Sequence, residues 1–460
     1  MGKCLHRTEE VISHRHDRDR ADFPATYSVI FSGRFAEYVF YPFIFIGIHY
    51  NQTSKKKRCF VFEVMMNLNA LRTFVWLLTA LLASPSLMAN DMNPTLQSAT
   101  NQAVTDEGLP SFYPQLKQQM TYSDSWLSGH FTDFSQWQSQ ARKTLRSLLL
   151  TPDSTIDFAP QAIEKQDRGS YMAEKIAFNL TDESRVDALL LTPKSTGPHP
   201  AVILLHDHGA KFDIGKEKMI KPWGNDEQLA SAQAWADKFF TGRFVGDELA
   251  KRGYVVLAVD ALGWSARGPI KYEQQQALAS NFFNLGRSLA GQMAYEDIRA
   301  TDFLASLDQV DKQHIGVVGF SMGAYRAWQL AALSDKVAAT AAVSWIGTYD
   351  GLMTPGNNVL RGQSAFYMLH PGLSTRFDFP DVASVAAPKP MLLFNGGKDK
   401  LFPTKSVEEA YAKMHKVWQS QQAESKLQTK IWPELGHVFY QEQQEEVFRF
   451  LDHWLKPASR

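Results

Sequence analysis

Cysteine is nearly missing: the 460 residues contain two, Cys4 and Cys59, and both precede Met65. The chain beyond Met65 therefore needs no disulfide and tolerates an oxidising compartment. Net charge is missing as well. Forty-eight basic residues balance 48 acidic ones, which leaves no basic footprint for a polyanion, so nucleic acid is not an expected partner. No internal repeat is visible. No apolar run reaches the ~20 residues needed to span a bilayer. What is plentiful is aliphatic and aromatic side chains, enough for a large buried core.

The first 64 residues differ from the rest, mixing charged clusters such as His14-Arg15-His16-Asp17-Arg18 with an apolar patch at 39–48. A new pattern opens at Met65-Met66. Arg72 supplies a positive charge, 74–83 is apolar, and Ser84-Pro85-Ser86-Leu87-Met88-Ala89 ends in small residues. That order is the layout of a secretory signal peptide cleaved near Ala89. Residues 1–64 then read as a mis-called start or a disordered extension, and the product as an exported protein, periplasmic or secreted, with no stable membrane insertion after cleavage. From residue 90 onward 37 basic and 41 acidic residues remain, a mildly acidic chain.

Residues 90–133 begin polar and rich in Asn, Gln, Thr and Ser, and are expected to form an N-terminal arm. A helical stripe covers 134–150. Two strand-like runs, 171–179 and 185–192, flank Thr181-Asp182-Glu183-Ser184 and read as a hairpin. Strands and helices then alternate. Strands are expected at 201–205, 254–259, 315–318, 336–344, 391–394 and 427–431. Helices are expected at 243–251, 274–307, 324–333, 407–421 and 442–455. Such alternation predicts a doubly wound, mostly parallel α/β sheet, here as one domain over 134–460 with an N-terminal helical and hairpin extension.

The chemistry gathers at Gly319-Phe320-Ser321-Met322-Gly323. This G-x-S-x-G stands where an apolar strand passes into a helix, the setting of a nucleophile elbow. A serine hydroxyl needs a base, and the base needs an orienting acid. His415, His437 and His453 are the histidines after Met391. His415 and His453 fall within helices, as surface positions. His437 falls in a loop between the last strand and the last helix, where a base can hang over Ser321. Asp399 follows the 391–394 strand in a Gly-Gly turn, at the carboxyl end where ligand-facing groups of parallel sheets collect. Asp350 is the alternative acid.

A tetrahedral intermediate needs two N–H donors. Met322, directly after Ser321, supplies one. The other is assigned to His208 in His206-Asp207-His208-Gly209-Ala210, with its neighbour Asp207 as the alternative. Asp207, Trp264 and Trp345 are candidate pocket residues. His206 and His208 have the spacing of metal ligands, but no third ligand pattern accompanies them, so neither a metal nor a cofactor is expected. The stretch from Gly209 to Lys216 is not a phosphate loop, having five residues between its glycines and Glu217 in place of Ser/Thr.

The elbow, the later Asp399 and His437 in that order, and the His-Asp-His-Gly turn resemble the α/β-hydrolase superfamily. More narrowly, Leu205-His206-Asp207-His208-Gly209, Gly215-Lys216-Glu217-Lys218, Leu285-Gly286-Arg287-Ser288-Leu289-Ala290-Gly291 and Asp378-Phe379-Pro380-Asp381 are similar to its acetyl-xylan-esterase-like and dienelactone-hydrolase-like bacterial branch. The resemblance covers about residues 135–458. It implies a serine esterase, often exported, whose substrate is an acylated carbohydrate or another small ester. Two departures stand out. Dienelactone hydrolases use a cysteine nucleophile, and glucuronoyl esterases have arginine where this chain has Met322. Two other functions compete: a serine peptidase of a propeller-free, aminopeptidase-like kind, since 90–200 leaves no room for a propeller, and a non-catalytic binding protein on a hydrolase scaffold, which has no need of Ser321, Asp399 and His437 together. Eleven tryptophans suit sugar stacking, although most are expected in the core.

Overall fold

A computed structural model describes residues 104–105 and 108–456. The stretch 1–64, the expected signal segment 65–89 and most of the polar part of the arm lie outside the described residues. Nine strands form one sheet: β1 (Gln161–Asp167), β2 (Tyr171–Thr181), β3 (Ser184–Pro193), β4 (His199–Leu205), β5 (Val255–Val259), β6 (Val310–Phe320), β7 (Ala339–Val343), β8 (Met391–Gly396) and β9 (Leu427–Trp432). Their spatial order is β1-β2-β3-β5-β4-β6-β7-β8-β9. The pairs from β1 to β3, and β3 with β5, are antiparallel; every pairing from β5 through β9 is parallel.

Strands buried on both faces need near-continuous apolar runs, and 201–205 of β4, 255–259 of β5 and 315–320 of β6 are such runs, while the start of β6 is polar and partly exposed. Along β4, Ala201, Ile203 and Leu205 enter one core while Val202 and Leu204 enter the other. The first core lies under α1 (Phe134–Leu149), α5 (Leu289–Ser306), α6 (Met322–Leu333) and α7 (Thr404–Ser420). The second lies under α2 (Asp226–Phe239), α3 (Val245–Lys251) and α8 (Gln441–Leu455). A further helix, α4 (Tyr272–Asn284), belongs to a small third cluster beside the carboxyl end of the sheet.

Several elements differ from the sequence expectations. The hairpin is no appendage: β3 pairs with β5, so the extension is continuous with the sheet. The expected helix at 274–307 is two helices. Gly286 has φ of 75°, and the Ser288 hydroxyl caps α5 by accepting from Gly291 N–H at 2.8 Å. The same hydroxyl donates to the Leu149 carbonyl at the end of α1, and a Cβ on Gly291 would stand 1.9 Å from that oxygen. The Leu285–Gly291 motif thus lets two helix ends meet backbone to backbone. Strand β1 and helix α2 were not foreseen. Every residue of β1 is exposed, so it has no apolar alternation to read.

The segment before α1 is fastened to the domain. Trp137 Nε1 donates to the Asp124 carbonyl at 2.7 Å, and Arg376 Nε donates to the Asp124 carboxylate at 2.9 Å. Ser125 Oγ donates to Asp381 Oδ1 at 2.6 Å, while Asp381 Oδ2 accepts from Asp378 N–H at 2.9 Å. Asp378 and Asp381 form a capping box on a short helix, Phe379–Ser384, the structural purpose of the Asp-Phe-Pro-Asp motif.

Burial pushes the Asp381 carboxyl up from 3.8 to about 6, against the lowering effect of the Ser125 hydroxyl. Between those values the native state holds a proton that the unfolded chain has released. This group's contribution to stability is therefore full below 3.8 and is lost as pH rises through 6. The stability of wild type relative to Asp381→Asn should fall by on the order of 3 kcal/mol between pH 3.5 and pH 7. Denaturant melts across that range check it, and a pH-independent difference would contradict the assignment.

Candidate functional site

Between β4 and β6 the strand order reverses, opening a crevice at the carboxyl end of the sheet where ligands of such sheets bind. Ser321 stands there between β6 and α6 with φ of 56° and ψ of −122°, a conformation a non-glycine residue adopts only when its surroundings compel it. The compulsion is close packing. A Cβ on Gly319 would lie 1.9 Å from the Gly323 carbonyl oxygen, and one on Gly323 would lie 1.9 Å from the Leu205 oxygen. Both glycines are needed so that α6 can begin directly against the ends of β6 and β4.

The structure brings Ser321, His437 and Asp399 into one chain. Ser321 Oγ donates to His437 Nε2 at 2.7 Å, and His437 Nδ1 donates to Asp399 Oδ2 at 2.7 Å. The other carboxylate oxygen of Asp399 accepts from Leu401 N–H at 3.0 Å, which fixes its plane. An ionised carboxylate only accepts, so it holds the proton on Nδ1 and leaves the Nε2 lone pair facing the hydroxyl. Phe320 and Phe402 flank the imidazole, with ring centroids 5.0 and 6.1 Å away. The alternative acid, Asp350, is elsewhere: it pairs with Lys117 at 2.5 Å. His415 bonds Thr429 on an exposed helix face, and His453 packs its ring against Trp454.

Ser321 opens into a cavity of about 220 Å³. Asp207, His208 and Gly209 form one wall with Trp235 and Tyr272; Trp345 lies on the lining as well. The segment between β7 and β8 roofs it through Asn357, Val359 and Met368. Trp264 is a correction. It is fully buried beneath the turn after β4, off the cavity lining, because its indole donates to the His208 carbonyl at 3.3 Å and packs on Tyr367. Asp207 reaches the lining, but its carboxylate is engaged. Oδ1 accepts from Trp235 Nε1 at 3.1 Å and Oδ2 from Lys218 at 3.3 Å.

Both imidazoles of the His206–Ala210 turn are neutral. Burial lowers His208 to about 4 and His206 well below its ordinary value. His206 Nδ1 donates to the Asp207 carbonyl at 2.8 Å, and Nε2 accepts from Ala261 N–H at 3.0 Å. His208 Nε2 donates to Gln275 Oε1 at 2.6 Å, and Nδ1 accepts from Ala210 N–H at 3.2 Å. With every ring nitrogen engaged, neither has a lone pair to offer a metal. Among the described residues no group of three or more His, Cys, Asp or Glu could hold one.

The Gly-Lys-Glu-Lys motif lies directly under this turn. A Cβ on Gly215 would stand 2.3 Å from Asp260 Oδ1, and Lys216 donates to Asp260 through its backbone N–H (2.7 Å) and its ammonium (2.6 Å). Burial raises Asp260 to about 6, with Lys216 pulling the other way. Lys218, fully buried, donates to the carbonyls of Asp207 and His208, both at 3.0 Å. Burial lowers its ammonium, opposed by the Asp207 carboxylate. Sequence reasoning did not assign roles to Lys218, Gln275 or Trp235. The motif's lysine was the visible signal for the first; the other two stand on helices whose polar and apolar residues give no such sign.

Comparisons with known proteins agree with this fold. A protein of Bacillus subtilis (strain 168) called "Putative hydrolase YtaP" is 28% identical over 319 residues, 69% of this chain and all of that one. A solved structure described as a "putative acetyl xylan esterase" from Bacteroides fragilis NCTC 9343 aligns with TM-score 0.54 and 20% identity, covering 77% of this chain and 94% of that chain. Methylesterase BT1017 aligns with TM-score 0.52 and 19% identity, over 74% and 68% of the two chains. A glucuronoyl esterase from Solibacter usitatus aligns with TM-score 0.51 and 13% identity, over 76% and 96%. At those identities the likeness is one of fold, the α/β-hydrolase fold. Among the described residues no helix is long and apolar enough to cross a membrane. Residues 111–430, a span that contains the elbow, Asp399 and the parallel sheet as far as the middle of β9, match the model of the Abhydrolase family, and the chain belongs to that family.

Proposed function

We propose that this protein is a serine carboxylic ester hydrolase that works through an acyl-enzyme and removes an acyl group from a carbohydrate or another small ester. The observation that carries this reading is the unbroken run of hydrogen bonds from Ser321 through His437 to Asp399. In the proposed sequence, His437 Nε2 takes the Ser321 proton as Oγ attacks the ester carbonyl. Asp399 stabilises the resulting imidazolium, which then protonates the departing alkoxide. Water, deprotonated by the same nitrogen, releases the acid. The developing oxyanion is assigned to the N–H groups of Met322, at the start of α6, and of His208. Among the described residues neither N–H donates to a protein acceptor. No cofactor enters this scheme.

Three considerations favour an ester over a peptide. The fold neighbours named above are described as a "putative acetyl xylan esterase", a methylesterase and a glucuronoyl esterase. Among the described residues the catalytic turn is roofed by the 344–390 segment between β7 and β8 and by no separate domain, and the cavity of about 220 Å³ suits a small acyl group. Activity against acetylated sugars, short nitrophenyl esters and aminoacyl amides, measured side by side, separates the two classes.

Ser321→Ala should lower turnover of a short nitrophenyl ester by ~10⁴–10⁶ without moving the thermal melt. Asp399→Asn should lower it by ~10⁴, since the wrong tautomer of His437 then faces the serine. Asp350→Asn should stay within severalfold of wild type. A Ser321→Ala enzyme retaining a tenth of the activity, or an inactive Asp350→Asn beside a normal Asp399→Asn, would contradict the assignment.

We also propose export, on the pattern from Met65 to Ala89 and the cysteine-free remainder. N-terminal sequencing of the protein recovered from outside the cytoplasm should begin near Asn90. An intact chain starting at Met1 in the cytoplasm would sink that proposal.

A further inference from the structure

The turn after β4 holds an expensive backbone shape. Gly209 and Ala210 both have φ of 54°, in the left-handed region, which an alanine avoids. A Cβ on Gly209 would lie 2.3 Å from the Trp235 ring, so the turn is tightly enclosed as well as strained. Such a conformation persists only when its surroundings over-determine it.

What surrounds it on the core side is a set of donors aimed at two carbonyls. The Asp207 carbonyl accepts from Lys218 Nζ at 3.0 Å and from His206 Nδ1 at 2.8 Å. The His208 carbonyl accepts from Lys218 Nζ at 3.0 Å and from Trp264 Nε1 at 3.3 Å. Lys218 alone grips both, and its third bond goes to the Asp207 carboxylate. A trans peptide is planar, with its N–H opposite its C=O. Drawing the Asp207 carbonyl inward therefore turns the His208 N–H outward, and drawing the His208 carbonyl inward does the same to the Gly209 N–H. His208 and Gly209 both line the cavity, whereas Lys218 does not.

We propose that Lys218 is a positioning residue: by holding the carbonyls of Asp207 and His208 in the core, it fixes the two peptide planes whose N–H groups face the cavity and so aims the second oxyanion donor. The inference rests on the ester hydrolase reading given above. Lys218 never meets the substrate. Its influence is on the transition state, where negative charge appears on the carbonyl oxygen, and not on the neutral ester in the ground state.

The test is Lys218→Met, assayed on a nitrophenyl ester with the concentration of functional sites counted by burst titration. Because removing the ammonium leaves the Asp207 carboxylate buried without its partner, the double variant Asp207→Asn/Lys218→Met is assayed beside it and stands in if the single variant does not fold. The expected result is a kcat per titrated site lower by ~10²–10³, the loss typical of one oxyanion donor, with KM within about threefold. Phosphonylation of Ser321 by a fluorophosphonate should slow by a similar factor. A purely structural lysine would instead give fewer titratable sites, each turning over normally, and that outcome overturns the proposal. If wild type itself shows no burst and takes no label on Ser321, the hydrolase reading fails, and this inference with it.

Discussion

The site depends on how closely three pieces of backbone approach one another. Gly319 and Gly323 let the first turn of α6 touch the ends of β6 and β4, at distances where a single added methyl would overlap a carbonyl oxygen. Everything local follows from that contact. The turn between β6 and α6 becomes so tight that Ser321 is forced to φ of 56°. The free N–H groups of the helix start then point into the crevice, and the turn after β4 comes to lie alongside. Parallel strands on both sides of the switch point supply the two loops, and the later strands β8 and β9 deliver Asp399 and His437 from the far side.

A second theme is where the charge sits. Lys216 with Asp260, Lys218 with Asp207, Arg267 with Glu296 and Arg326 with Asp297 are all buried ion pairs near the carboxyl end of the sheet. Buried pairs of this kind bring little net stability, because desolvation offsets their attraction. Their geometry is more informative. Arg326 ties α6 to α5 through two bonds to Asp297, Lys216 anchors its loop to the end of β5, and Lys218 holds the turn after β4. The imidazoles of His206 and His208, by contrast, are kept neutral by burial and serve as fixed donors and acceptors. The charged groups set the loops in place, and the cavity is lined mostly by aromatic and aliphatic residues.

How much of this was legible in the sequence depends on whether a feature is local. The elbow announces itself because strand, turn and helix are contiguous. Asp399 and His437 were identifiable because each follows a recognisable strand at the catalytic end. The parallel sheet followed from alternation of apolar runs, and the motif around Asp378 from its position in a recognisable set. What could not be read is what depends on a partner distant in sequence. Gln275 matters because it meets His208, 67 positions away. Trp264 was expected near a pocket and is instead sealed under it by Tyr367. Asp350 shared Asp399's credentials until Lys117, more than 200 positions earlier, proved to be its partner. The break at Gly286 was hidden by helical spacing on both sides, and β1 by the absence of any buried residue.

The central claim is that Ser321 becomes acylated during turnover. The most direct measurement is rapid acid quench of the enzyme with an activated acetyl ester, followed by peptide mapping by mass spectrometry. The account predicts an added acetyl group on the peptide containing Ser321, localised to that side chain, appearing within the burst and disappearing as substrate is exhausted. An enzyme that hydrolyses the ester while its Ser321 peptide remains unmodified at every time point, or one that carries the acetyl group on another residue, would contradict it.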